Sequence, residues 1–349
     1  MNATSPRIII HAGHGKTGTS ALQSSLALSQ ANLLKKGIAY PDHPSFDDAR
    51  AGKISSGNIE PMNIVESYDE TCARYPDAHS VLYSNEYFFP AIVDTPEFLE
   101  PLLDRGVQIS AILFIRNPLD HAVSRYVQTI KRRGSTRHLE EELALYDRPV
   151  RVLQFIVNAR RLGLDLEVLN YSNHKRNLNS VFARTIGVEA SDLLDPARPT
   201  INRGLTRSEL RLQRAFNIEW GRKSSAFVSD PLCNELPDIK AEKPLVSRAA
   251  YEEFVRVIDK MVADVNAIIP AEERYVVGSY EDSYGDADPD VSESFNFSAE
   301  QLDVLARSIS ARIPQLPDEA APVPEPAGPP EPTAPTSAWQ KISQRWKRS

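Results

Sequence analysis

A glycine-rich stretch near the start of the chain combines the residue types that bind phosphate groups. Residues 13–20 read GHGKTGTS and lie between an apolar run, Arg7–His11, and a helical pattern of leucines. Glycines allow a tight turn whose backbone N–H groups face an anion, and the helix that follows points its positive dipole end at the same place. Lys16 adds a full positive charge, and Thr19 and Ser20 add hydroxyl donors. The stretch therefore predicts a phosphate-binding loop, with a ligand-free glycine turn as the alternative.

The order of residues in this loop differs from that of an ordinary nucleoside-triphosphatase loop. Such a loop reads GxxxxGKS or GxxxxGKT, whereas here the lysine lies inside the frame from Gly13 to Gly18. The alternative frame, residues 15–17, puts Ile10 where the first glycine belongs. A kinase loop also needs a carboxylate at a neighbouring strand end to support magnesium, and no apolar run of this sequence ends in Asp.

The residues after a long apolar run, Val107–Ile115, predict a second anion site. Arg116 places a positive charge at the end of the expected strand, and residues 117–118, Asn-Pro, suit the N-cap and first position of a helix. Ser124 follows about two turns into that helix. A strand-end arginine, a helix N-terminus and a hydroxyl form a cradle for a second phosphate group, and a structural pairing of the arginine with Asp120 is the alternative. A ligand with two separated phosphate groups would use both cradles.

Taken together, these motifs resemble those of bacterial sulfotransferases that use 3'-phosphoadenosine-5'-phosphosulfate (PAPS). Residues 14–23, HGKTGTSALQ, are similar to the family's 5'-phosphosulfate loop, where forms such as HKTGTTxLQ recur. Residues 116–126, RNPLDHAVSRY, resemble its 3'-phosphate motif, and residues 37–41, GIAYP, resemble its second strand. The resemblance covers residues 7–190 and departs from the family just before the lysine, where many members carry a pair other than His-Gly.

The resemblance implies a role for each matching residue. Lys16 would contact the bridging oxygen and the sulfuryl group, the loop backbone and hydroxyls would hold the 5'-phosphate, and Arg116 and Ser124 would hold the 3'-phosphate. Tyr171 stands where relatives carry a Tyr-Glu pair near the adenine, with a serine in place of the Glu. Arg203, followed by glycine, resembles a remnant of a late phosphate clamp. The predicted donor-binding residues are Gly15, Lys16, Thr17, Gly18, Thr19, Ser20, Arg116, Ser124, Tyr171 and Arg203.

Two residues are candidates for the general base that sulfuryl transfer needs. The acceptor hydroxyl loses a proton as it attacks, so a positioned base is expected. Glu86 follows the apolar run Val81–Tyr83 and should face the same sheet edge as Lys16. Sugar-acting members of the family place a Glu at a similar strand end. His14 is the reserve candidate, and the alternative for Glu86 is an ordinary surface or salt-bridged carboxylate.

Short apolar runs alternate with helical patterns along the N-terminal half of the chain. This alternation predicts an α/β fold with a doubly wound, mostly parallel sheet of the P-loop nucleoside-triphosphate-hydrolase type, with helical additions towards the C-terminus. The runs expected to form strands are Arg7–His11, Gly37–Pro41, Val81–Tyr83, Val107–Ile115 and Leu166–Tyr171. Helices are expected over Pro118–Lys131, Arg207–Gly221 and Ala249–Ile269.

Length and composition divide the chain into three parts. The 349 residues, 41% of them hydrophobic, suit one large domain, expected over residues 1–315. Residues 316–337 are rich in Pro, Ala and Glu, which is typical of a disordered linker. Residues 338–349 combine two tryptophans and an isoleucine with basic residues. This tail could dock on an anionic membrane or a protein partner, or stay unfolded in isolation.

Charge, cysteine count and hydropathy limit the classes of function that this protein could have. The net charge of −7 argues against a nucleic-acid-binding protein. Two distant cysteines fit neither a disulfide framework nor a metal site, and neither a signal peptide nor a long apolar run is recognised, so a cytoplasmic protein is expected. The basic cluster of residues 131–133, Lys-Arg-Arg, suits an acidic acceptor such as a polysaccharide, or is simply a solvated helix face.

The sequence therefore predicts a sulfotransferase that uses PAPS without a metal ion. Its acceptor is expected to be a hydroxyl or amine of a small molecule or glycan, and Glu86 favours a carbohydrate. The competing enzyme is a metal-dependent P-loop kinase for a small molecule, which needs a carboxylate near Thr17 or Thr19. The third hypothesis is a nucleotide-binding interaction protein without turnover that acts through its basic tail.

Overall fold

The computed structural model describes five stretches of the chain: residues 6–44, 46–50, 57–196, 203–285 and 295–312. Met1–Ser308 form one compact unit. Of the second unit, Ile309–Ser349, only residues 309–312 are described. The predicted linker, 316–337, and the predicted basic tail, 338–349, lie outside the described residues.

A five-stranded, wholly parallel sheet organises the first unit. Its strand order is β2-β3-β1-β4-β5, so β1 is central. In the register, Ile8 of the central strand lies opposite Val81 on one side and Ile109 on the other. The strands are β1 (Arg7–Gly13), β2 (Ile38–Ala39), β3 (Ser80–Asn85), β4 (Ile109–Ile115) and β5 (Asp165–Asn170).

The central strand forms because its β-branched side chains fill the core on both faces of the sheet. Ile8 and Ile10 belong to one apolar cluster, whereas Ile9 belongs to another, as the alternation of side chains along a strand requires. All three are buried. A parallel sheet covered on both faces by helices reads as a continuous apolar run, so the predicted α/β class and doubly wound parallel sheet are confirmed.

Helices connect the strands and cover both faces. No helix of the described residues is long and apolar enough to cross a membrane. The α-helices are α1 (Thr19–Leu28), α2 (Gln30–Lys35), α3 (Phe46–Arg50), α4 (Ile64–Arg74), α5 (Phe88–Asp94), α6 (Glu100–Leu103), α7 (Pro118–Arg133), α8 (Leu139–Ala144), α9 (Arg148–Arg161), α10 (Tyr171–His174), α11 (Leu178–Ile186), α12 (Arg207–Trp220), α13 (Ser229–Glu235), α14 (Arg248–Asn266), α15 (Tyr280–Tyr284) and α16 (Ala299–Ser310). Short 3-10 helices cover Pro61–Asn63, Pro96–Leu99, Ala190–Asp192, Gly221–Ala226 and Ala271–Glu273.

The strand order creates a switch point between β1 and β4. After β1 the chain turns towards β3 and β2, and after β4 it turns the other way, towards β5. Ligands of open α/β sheets bind at such a point, in the crevice outside the carboxyl ends of the strands. The glycine-rich loop follows β1, and Arg116 follows β4. Both predicted anion motifs therefore flank the same crevice.

Candidate active site

A cleft of about 740 Å³ opens at the carboxyl edge of the sheet, a volume within the usual range for small-molecule sites. The ends of four parallel strands bring its residues together, because all of them point at the same edge. Nine of the twelve predicted site residues line this cleft. The predicted residues that line the cleft are Lys16, Gly18, Thr19, Ser20, Glu86, Arg116, Ser124, Tyr171 and Arg203.

The phosphate-type loop adopts a left-handed backbone that suits an anion cradle. Gly15 has φ 83°, Lys16 φ 59° and Gly18 φ 80°. For a residue with a side chain this conformation costs roughly 1–2 kcal/mol, so its presence at Lys16 marks a position that the surrounding structure enforces. Arg116 Nη1 donates a hydrogen bond to Lys16 O at 2.9 Å, which is one such constraint. It also joins the two anion motifs directly.

Two hydroxyls of the loop are buried without a partner. Thr17 is 0% exposed and Thr19 is 2% exposed, and neither Oγ1 has a hydrogen-bond partner among the described residues. The backbone N–H groups of residues 16–18 likewise donate to no other residue of the part that the structure describes. A buried polar group without a partner costs about 1–3 kcal/mol. An anion held by the loop would remove that cost.

Gly13 allows the loop, α1 and Glu86 to approach one another closely. A Cβ at this position would lie 2.9 Å from Thr19 Oγ1 and 3.0 Å from Glu86 Cγ. Only a glycine leaves room for both side chains. The carboxylate-bearing side chain at the end of β3 is therefore packed beside the first residue of α1.

Lys16 and Glu86 form the charged centre of the cleft. Burial lowers the pKa of Lys16, Glu86 opposes that shift, and the nearby cations Arg116, Lys131 and Arg132 lower the pKa further. Burial raises the pKa of Glu86, and Lys16 partly offsets the increase. A carboxylate whose pKa is raised towards neutrality is a better proton acceptor than an ordinary glutamate.

The second anion motif forms the other side of the crevice. Arg116 lies 5.5 Å from the centre of the Tyr171 ring, and Ser124 lines the cleft from α7. Asn117 is the N-cap of α7, and its backbone N–H donates to Ser172 Oγ at 3.0 Å. The predicted alternative, a pairing of Arg116 with Asp120, is not what the structure shows. Asp120 Oδ1 instead lies 3.8 Å from Lys243 Nζ.

Tyr171 and the loop are in direct contact at Gly18. A Cβ on Gly18 would lie 2.6 Å from Leu178 Cδ2 and 2.9 Å from Tyr171 Cε2. The positive φ at Gly18 also disfavours any side chain there. The residues after β1 and β5 are thus packed against each other, and Tyr171 forms one wall of the crevice. Gly15 and Thr17 belong to the loop without lining the cleft.

The structure does not bring His14 to the cleft, which corrects the prediction of a reserve base. Its ring is 3% exposed and packs edge-on against Phe89 and 4.4 Å from the ring of His121. Burial lowers the pKa of His14 well below its ordinary value, with Arg148 adding to the shift. A neutral ring on the core side of the loop has no route to an acceptor in the cleft.

Arg203 has structural partners rather than a free charge, which corrects its prediction as a phosphate ligand. Its Nη1 and Nη2 donate to both carboxylate oxygens of Glu209, at 2.7 and 2.8 Å. The carbonyl oxygens of Gly204, Leu232 and Leu236 accept its further hydrogen bonds. The guanidinium is therefore neutralised by its ion pair with Glu209, although Arg203 is one of the residues that line the cleft.

Three basic residues that sequence reasoning did not assign to the site also line the cleft: Lys131, Arg132 and Lys243. The first two were noted as a basic cluster with a solvated face as the alternative. The helical spacing from Ser124 to Lys131, seven residues or two turns, is the signal that places them on the same face. Lys243 lies in an irregular segment before α14, where no periodicity could have indicated its direction.

The fold and the cleft define an α/β protein with a crevice at its switch point that is lined by several cationic side chains. No protein-family profile matches the sequence, and a search of curated proteins finds no match either. Among solved structures, the chain is similar to a retinol dehydratase in complex with androsterone and the inactive cofactor PAP. The identity is 13% and the TM-score 0.32, over 76% of this chain and 82% of the other.

Proposed function

We propose that the protein transfers a sulfuryl group from PAPS to a hydroxyl or amine of a carbohydrate or glycoconjugate. One observation carries the proposal: the lysine-bearing loop after β1 and the arginine after β4 meet in one cleft, joined by the 2.9 Å hydrogen bond from Arg116 to Lys16 O. Two cation-bearing motifs at one crevice suit a nucleotide that carries phosphate groups at two corners.

The residues present fit such a nucleotide. The loop offers an unpartnered hydroxyl at Thr19, which lines the cleft, together with backbone N–H groups, and these suit the 5'-phosphate. Arg116 and Ser124 would hold the 3'-phosphate, and the Tyr171 ring beside them would contact the adenine. His14 does not belong to this set because its ring is buried beside Phe89 and His121, and Arg203 does not because its guanidinium is paired with Glu209.

PAPS supplies the sulfuryl group and, after transfer, leaves as 3',5'-ADP. In the proposed reaction the acceptor oxygen forms a bond to sulfur while the bond between sulfur and the bridging oxygen breaks. Lys16 stabilises the negative charge that develops on that bridging oxygen. Glu86 accepts the proton of the acceptor hydroxyl, for which its raised pKa suits it. The transfer resembles phosphoryl transfer, in which positioning and electrostatic stabilisation do most of the work.

Ligand-dependent melting and a transfer assay test this proposal. In the presence of EDTA, 3',5'-ADP and PAPS should raise the melting temperature more than ATP does, because binding to the folded state stabilises it. Transfer of labelled sulfate from PAPS to a panel of sugars and glycans should then identify the acceptor. Stabilisation by 3',5'-ADP without any transfer would favour the nucleotide-binding interaction protein. No stabilisation by either nucleotide would contradict the proposal.

A second candidate function, a metal-dependent kinase for a small molecule, is favoured by one observation. The kinase hypothesis requires a carboxylate near Thr17 or Thr19, and Glu86 Cγ packs beside Thr19 at Gly13. A glutamate in that place could support a magnesium ion next to the loop hydroxyl. Stabilisation by ATP that depends on added magnesium, with no response to 3',5'-ADP, would select the kinase.

A further inference from the structure

One face of α7 extends the cleft beyond the predicted nucleotide site. The residues of this helix that line the cleft recur every three to four positions, from Asp120 near its start to Arg132 in its last turn. Ser124, proposed to contact the 3'-phosphate, and Lys131 lie on the same face. They are two turns, or about 10 Å, apart along the helix axis. The cationic end of α7 therefore forms a second region of the cleft.

Lys131 places a buried ammonium group in that region. The residue is 5% exposed, and its Nζ donates to Arg203 O at 3.1 Å and to Cys233 Sγ at 3.0 Å. Burial lowers the pKa of Lys131, whereas the nearby Cys233 raises it. A cation removed from water gains most from an anion that enters the same pocket. The surroundings of Lys131 therefore favour the binding of a negatively charged group.

Arg132 stands beside it where the cleft meets solvent. Its side chain is 37% exposed and pairs with Asp230. Both cations lie close enough to Lys16 to lower its pKa, after the larger effects of burial, Glu86 and Arg116. Two cationic regions of the cleft, Arg116 and the end of α7, therefore act on the lysine of the phosphate loop. One of them is already assigned to the phosphates of the nucleotide.

We propose that Lys131 and Arg132 bind an anionic group of the acceptor, so that the acceptor is a hydroxyl compound that also carries a carboxylate, sulfate or phosphate. This inference rests on the proposed function, because it assumes that the loop, Arg116 and Ser124 hold the two phosphates of PAPS. The acceptor anion then lies at the cationic end of α7. A uronic-acid-containing or sulfated glycan has this chemistry.

Matched pairs of ligands test the inference. Binding would be measured calorimetrically with and without saturating 3',5'-ADP, for a glucuronate oligosaccharide and its carboxyl-reduced neutral counterpart. A small phenol pair, 4-hydroxyphenylacetate and its amide, separates the carboxylate from the sugar. The charged member should bind about tenfold more tightly in at least one pair, which corresponds to one hydrogen-bonded charge contact. A parallel titration with inorganic sulfate and phosphate distinguishes the other two anions.

Variants at positions 131–133 show which residues cause the preference for the charged ligand. Lys131→Met should remove most of the preference for the charged member, and Arg132→Gln should reduce it, whereas Lys131→Arg should retain it. Arg133→Gln is the matched control, because Arg133 is exposed in the same turn and does not line the cleft. If Lys131→Met fails to fold, Arg132→Gln and Lys131→Arg still give the answer.

The outcomes separate this inference from the proposed function. The affinity for 3',5'-ADP should be unchanged in Lys131→Met, since the donor uses other residues. If the wild-type protein does not bind 3',5'-ADP, the proposed function fails. A Lys131-dependent preference for the charged ligand in the nucleotide-free protein would still support an anion site. Equal binding of charged and neutral members in both pairs, binding of neither, or an equal effect of Arg133→Gln would overturn the inference.

Discussion

Several charged side chains of the cleft interact electrostatically with Lys16. Its backbone is left-handed, its carbonyl oxygen accepts from Arg116, and its ammonium is in electrostatic contact with Glu86 and with the cations of α7. A lysine held in a strained conformation at the centre of a cleft is typical of a functional position. Its role is separable from the fold, because the core of the sheet does not depend on its side chain.

Lys16→Met should therefore abolish sulfuryl transfer and leave a folded protein. Removal of one group that stabilises transition-state charge costs on the order of 100- to 1,000-fold in kcat. Single-turnover assays with PAPS would measure the loss, and circular dichroism melting would check the fold. Arg133→Gln, which changes an exposed cation outside the cleft, is the control and should keep full activity. Turnover near the wild-type level in Lys16→Met would refute the mechanism.

The pH dependence of activity tests whether Glu86 is the general base. Since burial raises its pKa, a larger fraction of Glu86 is protonated at mildly acidic pH than for an exposed glutamate. Activity should therefore fall as the pH drops through a midpoint above the ordinary glutamate value. In Glu86→Gln, kcat should fall by about 100- to 10,000-fold, and the acid limb should disappear. An acid limb that persists in the variant would assign the base elsewhere.

At the scale of elements, the wall of the cleft depends on how α12 is anchored. Arg203, just before this helix, and Glu209, in its first turn, form a buried ion pair with side chains 4% and 0% exposed. Burial by itself raises the pKa of Glu209, but the hydrogen bonds from Arg203, Thr206 and Gln301 outweigh it, so the pKa is lowered overall. The pair holds the backbone of residues 203–205 at the cleft.

Glu209→Gln should destabilise the protein by about 3–5 kcal/mol, because it leaves the Arg203 guanidinium buried without its counter-charge. The same pair should make stability pH-dependent. The folded-state pKa of Glu209 lies below the unfolded value, so the stabilisation is present above the unfolded pKa and is lost as the pH falls through the folded one. Urea unfolding of wild type and variant between neutral and acidic pH would measure both effects. A variant as stable as wild type would show that the pair is dispensable.

Several elements were predictable because their patterns are periodic or local. The apolar run around Ile8 indicated a buried strand, and the structure extends it to Gly13. Pro118 marked the start of α7, which runs two residues further than expected, to Gly134 as its left-handed C-cap. Arg116 and Ser124, which were expected to form one cradle, both line the cleft.

Side-chain direction in irregular segments was not predictable. His14 and Lys16 are two residues apart in the same loop, yet one ring packs in the core and the other side chain lines the cleft. Backbone torsions of the loop decide this, and no periodicity encodes them. Arg203 was misassigned because its partner, Glu209, is revealed only by the packing of α12. Lys243 gave no signal, since its position depends on how distant segments pack.

At the scale of the whole molecule, the charge around the cleft differs in sign from the net charge of the chain. The chain carries a net charge of −7, whereas Lys16, Arg116, Lys131, Arg132 and Lys243 gather around one cleft. Three carboxylates, Glu86, Asp120 and Glu242, also line the cleft, so cations are in excess there. An excess of positive charge in a cleft concentrates anionic ligands. The negative net charge of the chain therefore does not argue against small anionic ligands. Cationic residues from distant parts of the chain lie together at the switch point of the sheet.

The most direct test of the central claim is the effect of Arg116→Met on two nucleotides that differ by one phosphate. If the loop and Arg116 bind opposite corners of one nucleotide, the variant should lose about tenfold more affinity for 3',5'-ADP than for 5'-AMP, as measured by calorimetry. The smaller loss for 5'-AMP reflects the missing hydrogen bond from Arg116 to Lys16 O. Lys16→Met should weaken the binding of both. Equal loss for the two nucleotides in Arg116→Met, or no tighter binding of 3',5'-ADP than of 5'-AMP in the wild type, would contradict the account.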